Sequence, residues 1–384
     1  MASLRYLSLF TGIGGFELGI QHAHLHKTQR QEHGQEPHDM PDLGEQLVGV
    51  EQPTCVGYSE IDKYASKIYQ SHFPTHHNYG DITKIDAQAL PDFDLLCGGF
   101  PCQSFSIAGK RGGFGDTRGT LFFDIARLLQ AKRPRLLLLE NVKGLLSHDQ
   151  GRTFATIIST LDELGYDIQW EVLNSKDFGV PQNRERVLIV GHLRGTPRPQ
   201  VFPIGRADAE DTRNIGEDLS YAIDANYSKG TNTLEKGRRQ LVQVGTLRTH
   251  KDGNGFREVK SGLSPTIPAR AREDGSGQPV ILVPEATKLG YAEARVGQSI
   301  NLAVPNSSTR RGRVSDLANT LDTGMQQHTL TKDARIRRLT PVECERLQGF
   351  PDGWTEGVSD TQRYKTLGNA VTTNVIEAVV TRML

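Results

Sequence analysis

One cysteine of the chain has the setting that a reactive thiol needs. The run Gly98-Gly99-Phe100-Pro101-Cys102-Gln103-Ser104 follows an apolar segment, with two glycines before the cysteine and a proline directly beside it. A structural thiol requires no such presentation, whereas a nucleophile must be accessible to its substrate. We therefore predict that Cys102 is a nucleophile and that the other cysteines are structural: Cys55, Cys97 and Cys344.

The segment that follows this cysteine is rich in glycine and in basic residues. It runs from Gly109 to Gly119 and contains Lys110, Arg111 and Arg118. A mobile basic loop of this kind can close over a phosphate backbone and exclude water from a reaction.

A carboxyl group and two guanidinium groups occur at the ends of later apolar runs. Glu140 follows Arg135–Leu139 and could donate a proton from the carboxyl end of a strand. In Gln182-Asn183-Arg184-Glu185-Arg186, the two arginines are two residues apart and would point the same way in a strand. The alternatives are that Glu140 caps a helix and that Arg184 and Arg186 pair with Glu185 and its neighbours.

A glycine-rich turn near the start of the chain predicts a nucleotide-binding α/β fold. Phe10-Thr11-Gly12-Ile13-Gly14-Gly15 lacks the third spaced glycine of the dinucleotide fingerprint, which argues against a nicotinamide cofactor. Glu60 is placed to accept a ribose hydroxyl, and Asp81 follows another turn and could accept from an adenine amine. Either carboxylate could instead cap a helix.

The elements that must position these residues alternate between strands and helices. Helices are predicted around 61–69, 121–129 and 154–161 from their apolar spacing. The predicted strands are Tyr6–Phe10, Phe93–Cys97, Arg135–Leu139, 168–172 and Arg186–Val190. This alternation predicts a doubly wound α/β sheet, with ligands beyond the carboxyl ends of its strands.

The texture of the sequence changes after Gly191. Residues 192–334 are rich in Gly, Pro, Ser, Thr and Arg, and predict a smaller domain of loops and short strands. The whole chain has 45 basic and 45 acidic residues, but 192–340 has 23 Lys/Arg against 16 Asp/Glu, a net charge of +7 that suits a polyanionic partner. We predict that 1–191 and 335–384 form one discontinuous domain, with a capping box at Thr340-Pro341-Val342-Glu343 and a last helix ending near Met383.

Several classes of protein are disfavoured by composition. The four cysteines form no CxxC pair, no signal peptide is evident, and no apolar run is long enough to span a bilayer, so we expect a cytoplasmic protein without disulfides or a structural metal. The polar stretch 21–50 contains five histidines, and we interpret it as a solvated insertion loop rather than a metal site.

Taken in order, these motifs resemble the DNA cytosine-5 methyltransferases of bacteria and phages. The shared series is Phe-x-Gly-x-Gly-Gly, Pro-Cys-Gln, Glu-Asn-Val, Gln-Asn-Arg-Glu-Arg, Arg-Leu-Thr-Pro-x-Glu and Gly-Asn-Ala-Val, which covers everything except 192–334. The resemblance implies S-adenosylmethionine (SAM) as cofactor, double-stranded DNA as substrate, target recognition by 192–334, a monomer, and a possible companion restriction endonuclease.

The resemblance also implies roles for individual residues. Cys102 would add to C6 of a cytosine flipped out of the duplex, Glu140 would contact N3 and Arg186 would contact O2, with Arg184 beside them. The residues implied at the SAM pocket are Phe10, Gly12, Gly14, Glu60, Ile61, Asp81, Leu121 and Asn369. The residues that could contact DNA are Gln103, Ser104, Lys110, Arg111, Arg118, Arg248, Arg270 and Arg310.

Other functions fit the sequence less well. Methylation of an exocyclic amine needs a different loop from Phe100-Pro101-Cys102. An RNA cytosine-5 methyltransferase on the same scaffold is disfavoured by the sizeable basic segment, and a non-catalytic regulator that binds SAM and DNA is disfavoured because Cys102, Glu140 and Arg186 are all present.

Overall fold

A six-stranded sheet forms the centre of the molecule. The computed structural model describes residues 3–33, 52–101, 121–204, 243–247, 256–258, 279–287, 290–303, 307, 309–324, 326–331 and 336–384. The sheet contains β1 (Arg5–Leu9), β2 (Thr54–Ser59), β3 (Leu95–Gly99), β4 (Leu136–Val142), β5 (Tyr166–Asn174) and β7 (Glu185–Leu193), while the short β6 (Gln182–Asn183) pairs elsewhere.

The order of strands across this sheet is β2-β1-β3-β4-β7-β5. The first four are parallel to one another, and β7 runs antiparallel to both β4 and β5. The carboxyl ends of β1, β2, β3 and β4 therefore lie along one edge, where ligands of such sheets bind. Each predicted strand of this sheet is present, with bounds that differ by one to three residues from those predicted.

Helices cover both faces of the sheet. Along β4, Leu137 and Leu139 pack in one core cluster with α3 (Leu121–Lys132) and α4 (Arg152–Glu163). Leu136 and Leu138 face the opposite way, toward α1 (Gly15–His33) and the last helix of the chain. This alternation buries both faces of the sheet and confirms the predicted doubly wound α/β fold.

The interpretation of 21–50 as a loop is wrong for its first part, because α1 continues to His33. His22 is buried, and its Nδ1 lies 3.6 Å from Oε2 of Glu377. His26 Nδ1 lies 2.7 Å from Oε1 of the same carboxylate. Residues 34–50 lie outside the described part of the chain, and in that part we find no cluster of three or more His, Cys, Asp or Glu suited to a metal.

The described parts of 243–338 contain short strands, most of which form two antiparallel sheets. One four-stranded sheet has the order β11-β10-β8-β9 and a second has the order β13-β12-β15-β16. In chain order the strands are β8 (Gln243–Leu247), β9 (Phe256–Glu258), β10 (Pro279–Pro284), β11 (Tyr291–Ala294), β12 (Ser299–Asn301), β13 (Val314–Ser315), β14 (Ala318–Asn319), β15 (Gln327–Leu330) and β16 (Ile336–Arg338). β14 joins neither sheet and instead pairs in parallel with β6.

The C-terminal segment returns to the first sheet. The predicted capping box is present at the start of α5 (Pro341–Leu347), where Thr340 and Glu343 exchange hydrogen bonds of 2.7 and 3.2 Å. α5 and α6 (Asp360–Asn369) contribute to a core cluster with α2 (Lys63–His72), and α7 (Thr373–Met383) packs along α1. No helix among the described residues has the length and apolar character needed to cross a membrane.

Candidate active site

The glycine turn after β1 lies at the sheet edge and is held in an unusual backbone conformation. Phe10, Gly12 and Gly14 all have positive φ values, of 52°, 58° and 94°. A Cβ atom on Gly14 would lie 2.7 Å from the ring of Phe73, whereas one on Gly12 would meet nothing within 4 Å. The turn is therefore packed on one side and open on the other, as a turn that approaches a ligand must be.

Glu60 joins this turn to the end of β2. Its Oε2 accepts a hydrogen bond of 2.9 Å from the Gly12 amide, and its Oε1 accepts one of 2.7 Å from the Asp62 amide. Asn78, which the sequence did not single out, donates to the Glu60 carbonyl (3.1 Å) and accepts from the Glu60 amide (3.3 Å). The carboxylate is thereby fixed, and two of its roughly four lone-pair sites remain for a ligand.

In the described part of the chain, the other predicted cofactor residues make no hydrogen bond to the glycine turn. Asp81 caps residues 82–84, accepting from the amide and hydroxyl of Thr83, and these hydrogen bonds lower the pKa of its carboxyl group. The capping role considered for Asp81 is therefore present. Ile61 is 78% exposed beside Glu60, Leu121 begins α3, and Asn369 is exposed at the end of α6.

The base of the predicted nucleophile loop is fixed by a neighbouring strand. β3 ends at Gly99, and the next residue, Phe100, is buried. The buried amide of Asn141 in β4 donates a hydrogen bond of 2.8 Å to the Phe100 carbonyl. Asn141 was not predicted as a site residue, although it directly follows Glu140. Several predicted residues lie beyond the described part of the chain: Cys102, Gln103, Ser104, Lys110, Arg111 and Arg118.

Glu140 and Arg186 form an ion pair near Gly99, at the base of this loop. Arg186 Nε lies 2.8 Å from Glu140 Oε1, and the two side chains are only 16% and 12% exposed. Glu140 pairs with Gly99 in the sheet, and a Cβ atom on Gly99 would lie 2.9 Å from Glu140 Oε2. The absence of a side chain at Gly99 therefore leaves room for the carboxylate at the edge from which the Cys102 loop departs.

Arg184 has a different environment from Arg186. Arg184 lies between β6 and β7 and belongs to neither strand, so the shared direction expected of two arginines within a strand does not apply to it. The side chain is 2% exposed, and its guanidinium donates to the main-chain oxygens of Leu321, Gly368 and Ala370. Burial and the nearby Arg186 lower its pKa to about 9. Arg184 still lines the same small pocket as Glu140 and Arg186.

The comparison with known proteins decides the family of this chain. The family model of the C-5 cytosine-specific DNA methylases matches residues 4–384. The chain belongs to this family. It is a DNA (cytosine-5) methyltransferase, and its fold and family imply the use of SAM.

Two relatives show how far the similarity to this methylase extends. The "Type II methyltransferase M1.ScrFI" of Lactococcus lactis subsp. cremoris is 36% identical over 388 aligned residues, which cover 100% of this chain and 78% of the relative. The "Orphan methyltransferase M.SPRI" of Bacillus phage SPR is 33% identical, with 100% of this chain and 98% of the relative covered.

A solved structure shares the fold of the methylase. The S. pombe Dnmt2 methyltransferase superposes with a TM-score of 0.55 over 98% of this chain and 97% of the other, at 17% identity. A likeness at this identity supports the architecture of the sheet and its helices.

Three cysteines of the methylase are poor candidates for its nucleophile. Cys97 and Cys344 are buried, and burial raises the pKa of both thiols. Burial also raises the pKa of Cys55 to about 12. A thiol with a raised pKa carries little of the thiolate that attacks an electrophile.

Of the residues predicted to contact DNA, the described part of the methylase includes Arg310. Arg310 is partly exposed, and its carbonyl accepts a hydrogen bond of 3.0 Å from the Ala286 amide. The neighbouring Arg311 donates through Nε to the Ala286 carbonyl. Arg248 and Arg270 lie outside the described residues.

Proposed function

We propose that this methylase transfers a methyl group to C5 of a cytosine flipped out of a specific double-stranded DNA sequence, through a covalent bond between Cys102 and C6. The observation that carries the proposal is the Glu140–Arg186 ion pair, which lies against Gly99 at the start of the Cys102 loop. The Pro101-Cys102 motif and the raised pKa of the three described thiols, of which Cys97 and Cys344 are buried, support the choice of nucleophile.

Each side chain answers one requirement of the reaction. C5 of cytosine is a weak nucleophile, and addition of the Cys102 thiolate at C6 gives C5 the character of an enamine carbon. The carboxyl group of Glu140 hydrogen-bonds N3, where negative charge would otherwise develop, and the guanidinium of Arg186 contacts O2. After methylation, loss of the C5 proton to a base restores the double bond and expels the Cys102 thiolate.

The edge residues fit SAM as cofactor. SAM supplies an electrophilic methyl group on a sulfonium sulfur when bound. Glu60, with its carboxylate fixed by Gly12 and Asp62, would accept the ribose hydroxyls, and the exposed side chain of Ile61 would contact the adenine ring. The turn at Gly12 and Gly14 gives close access to its backbone, and the same proposal places these residues at the pocket: Phe10, Asp81, Leu121 and Asn369.

The division of labour follows the two parts of the chain. We assign methyl transfer to 1–191 with 335–384, and recognition of the DNA sequence to 192–334. Residues 192–340 carry a net charge of +7, which suits contact with the phosphate backbone. Within this proposal Arg248, Arg270 and Arg310 contact DNA in the second part, and the loop residues Gln103, Ser104, Lys110, Arg111 and Arg118 contact it from the first. Access to genomic DNA places such an enzyme in the cytoplasm of a bacterial cell.

The names of the relatives extend the proposal to a biological setting. Several are Type II methyltransferases, from Lactococcus lactis and Haemophilus parainfluenzae among others, and one phage relative is an orphan methyltransferase. We infer that this enzyme protects DNA within a restriction-modification system, acting as a monomer and paired with an endonuclease of the same specificity.

A trapping experiment tests the mechanism. Duplex DNA can carry 5-fluorocytosine at the modified position, so that fluorine replaces the hydrogen at C5. Because there is then no C5 proton to remove after methylation, the bond between Cys102 and C6 cannot be eliminated. Wild-type protein with SAM should give an adduct that survives denaturation and maps to Cys102, and Cys102→Ala should give none. Cys55→Ala is the matched control and should still form the adduct.

Two results would contradict the proposal. An adduct that maps to another residue would remove Cys102 as nucleophile, and methylation of tRNA in preference to duplex DNA would replace the substrate. Bisulfite sequencing of DNA treated with the purified enzyme identifies the methylated cytosine and the sequence around it.

A further inference from the structure

The run Gln182–Arg186 is connected to two distant parts of the molecule. Arg186 reaches Glu140, as described above, whereas Gln182 reaches the other way. The Gln182 side chain accepts from the Leu321 amide (3.3 Å) and donates to the Leu347 carbonyl (2.7 Å). One short stretch of chain therefore contacts both the catalytic ion pair and the segment that follows β14.

We define residues 318–323 as the docking segment, because they connect the second antiparallel sheet to residues 182–184, which directly precede β7 of the six-stranded sheet. The segment begins with β14, which pairs in parallel with β6, Ala318 opposite Gln182 and Asn319 opposite Asn183. Thr320 then donates through its hydroxyl to the Asn183 carbonyl at 3.0 Å. The chain continues from the docking segment into β15, an inner strand of the second sheet.

Arg184 fastens the docking segment to the end of α6. Nη1 donates to the Leu321 carbonyl at 3.3 Å, and Nη2 donates to the carbonyls of Gly368 (3.3 Å) and Ala370 (2.7 Å). Among the described residues, Nε is buried without a hydrogen-bond partner. A buried guanidinium with one unsatisfied donor costs free energy of folding. Arg184 therefore suits a role in positioning the docking segment better than a role in stabilising the fold.

The docking segment and α6 are also in direct main-chain contact. A Cβ atom on Gly368 would lie 2.7 Å from the carbonyl carbon of Asp322 and 2.9 Å from the amide nitrogen of Thr323. Only glycine allows this approach, since the atoms that it meets belong to backbone rather than to a flexible side chain. The contact lies one residue before Asn369, where Arg184 also hydrogen-bonds to both the docking segment and the end of α6. We call these contacts of Arg184 and Gly368 the junction.

We infer that Arg184 is a positioning residue that holds the docking segment, and with it the DNA-recognition part of the chain, at a fixed distance from Glu140 and Arg186. This inference rests on the proposed function in assigning 192–334 to DNA recognition. Arg184 acts through main-chain carbonyls and does not contact the cytosine. A displacement of about 1 Å between bound DNA and the catalytic groups can reduce a rate about 100-fold, and this is what the junction prevents.

Two substitutions disturb the junction independently. Arg184→Met removes the three hydrogen bonds, and Gly368→Ala forces the docking segment away while Arg184 remains. Both should reduce kcat by about 10- to 100-fold, with the Kd for duplex DNA and the Kd for S-adenosylhomocysteine changed by less than about threefold. Arg184→Lys, which keeps the charge and can reach one carbonyl, should restore part of the lost kcat.

Arg363→Met provides a matched control for loss of stability. Arg363 is also largely buried, 13% exposed, but its ion pair with Glu345 lies within the C-terminal segment. This variant should lower the melting temperature without the same loss of kcat at 25 °C. If Arg184→Met does not fold, Gly368→Ala and Arg184→Lys supply the same comparison.

The outcomes separate this inference from the proposed function. Unchanged kcat in Arg184→Met and Gly368→Ala, or an equal loss in Arg363→Met, would overturn the positioning role. Loss of binding to duplex DNA with kcat preserved would also overturn it. Failure of the wild-type enzyme to form the 5-fluorocytosine adduct would instead count against the proposed function.

Discussion

The side-chain amide of Asn141 holds the carbonyl of Phe100 at 2.8 Å, two residues before Cys102. The same side chain accepts from the Val142 amide at 2.9 Å, so its orientation is fixed at both ends. Asn141 thereby sets the point from which the Cys102 loop leaves the sheet, while the adjacent Glu140 pairs with Arg186.

We predict that Asn141→Ala reduces kcat by about 10- to 100-fold, because the Cys102 loop loses the hydrogen bond at its base. Asn141→Asp is the sharper variant, since it keeps an acceptor for the Val142 amide but cannot donate to Phe100 when ionised. Single-turnover methylation of duplex DNA measures the effect, with the Kd for S-adenosylhomocysteine as the control. Wild-type rates in both variants would show that the Phe100 contact has no influence on the nucleophile.

The two glycines before the loop should respond differently to alanine. At Gly99 the new Cβ would crowd the end of the Glu140 side chain, at 2.9 Å, and would meet Phe16 and Val371 at an ordinary packing distance of 3.9 Å, so the carboxylate moves and the fold does not. At Gly98 the Cβ would lie 2.6 Å from the Leu9 main-chain oxygen, which cannot give way without parting β1 from β3.

We therefore expect Gly99→Ala to lose activity and Gly98→Ala to lose stability. Gly98→Ala should reduce the free energy of unfolding by about 1–3 kcal/mol, as overpacking of a core does. Gly99→Ala should unfold at nearly the wild-type denaturant concentration. Its kcat should be lower by about tenfold or more, because the Glu140 carboxyl group is displaced from N3 of the cytosine. Equal losses of stability in the two variants would contradict this reading of Gly99.

Glu60→Gln should weaken cofactor binding. The neutral amide accepts hydrogen bonds less strongly than the carboxylate, so it both loosens the Gly12 turn and loses affinity for ribose hydroxyls. We expect the Kd for S-adenosylhomocysteine, measured by calorimetry, to rise by about tenfold, given that hydrogen bonds to charged groups contribute about 1.5–3 kcal/mol. Glu163→Gln, an exposed carboxylate at the end of α4, is the control. An unaltered Kd in Glu60→Gln would remove Glu60 from the cofactor pocket.

The contact between α1 and α7 predicts a dependence of stability on pH. Hydrogen bonds and charge from His22 and His26 outweigh the burial of Glu377 and lower its pKa from an ordinary value of 4.5 to about 2. A lowered carboxyl pKa stabilises the folded state above the unfolded value and loses that contribution as the pH falls from about 4.5 toward 2.

Glu377→Gln should therefore be less stable than wild type at pH 6, by an amount on the order of 3 kcal/mol at most. The difference between the two proteins should shrink as the pH approaches 2. Urea unfolding at several pH values measures this, and a difference independent of pH would indicate that Glu377 contributes by packing alone.

Sequence patterns predicted the sheet well because its strands are buried on both faces. Such strands appear as continuous apolar runs, as in Leu136–Leu139, and their ends place Glu140 and the Cys102 loop at one edge. Arg186 is at the start of β7, and it lies at that edge because β7 runs antiparallel to β4, an orientation that the sequence does not show.

Other features depend on contacts that the sequence does not display. The second half of α1 has histidine, lysine and glutamine in place of an apolar stripe, and its partner Glu377 is about 350 residues away along the chain. The interruption of the strand at Arg184 follows from the pairing of β6 with β14, which no local pattern reveals. Asn78 and Asn141 likewise acquire their roles only from the register of neighbouring segments.

The position of α7 has a consequence for how the protein is made. Together with α1, this helix covers one face of a sheet whose first strand begins at Arg5, so part of that face stays exposed to solvent until residues through Met383 have left the ribosome. An unfinished chain would carry an uncovered apolar surface and depend on chaperones to avoid aggregation. Methylating activity should accordingly require that α7 has been synthesised and has packed on the sheet.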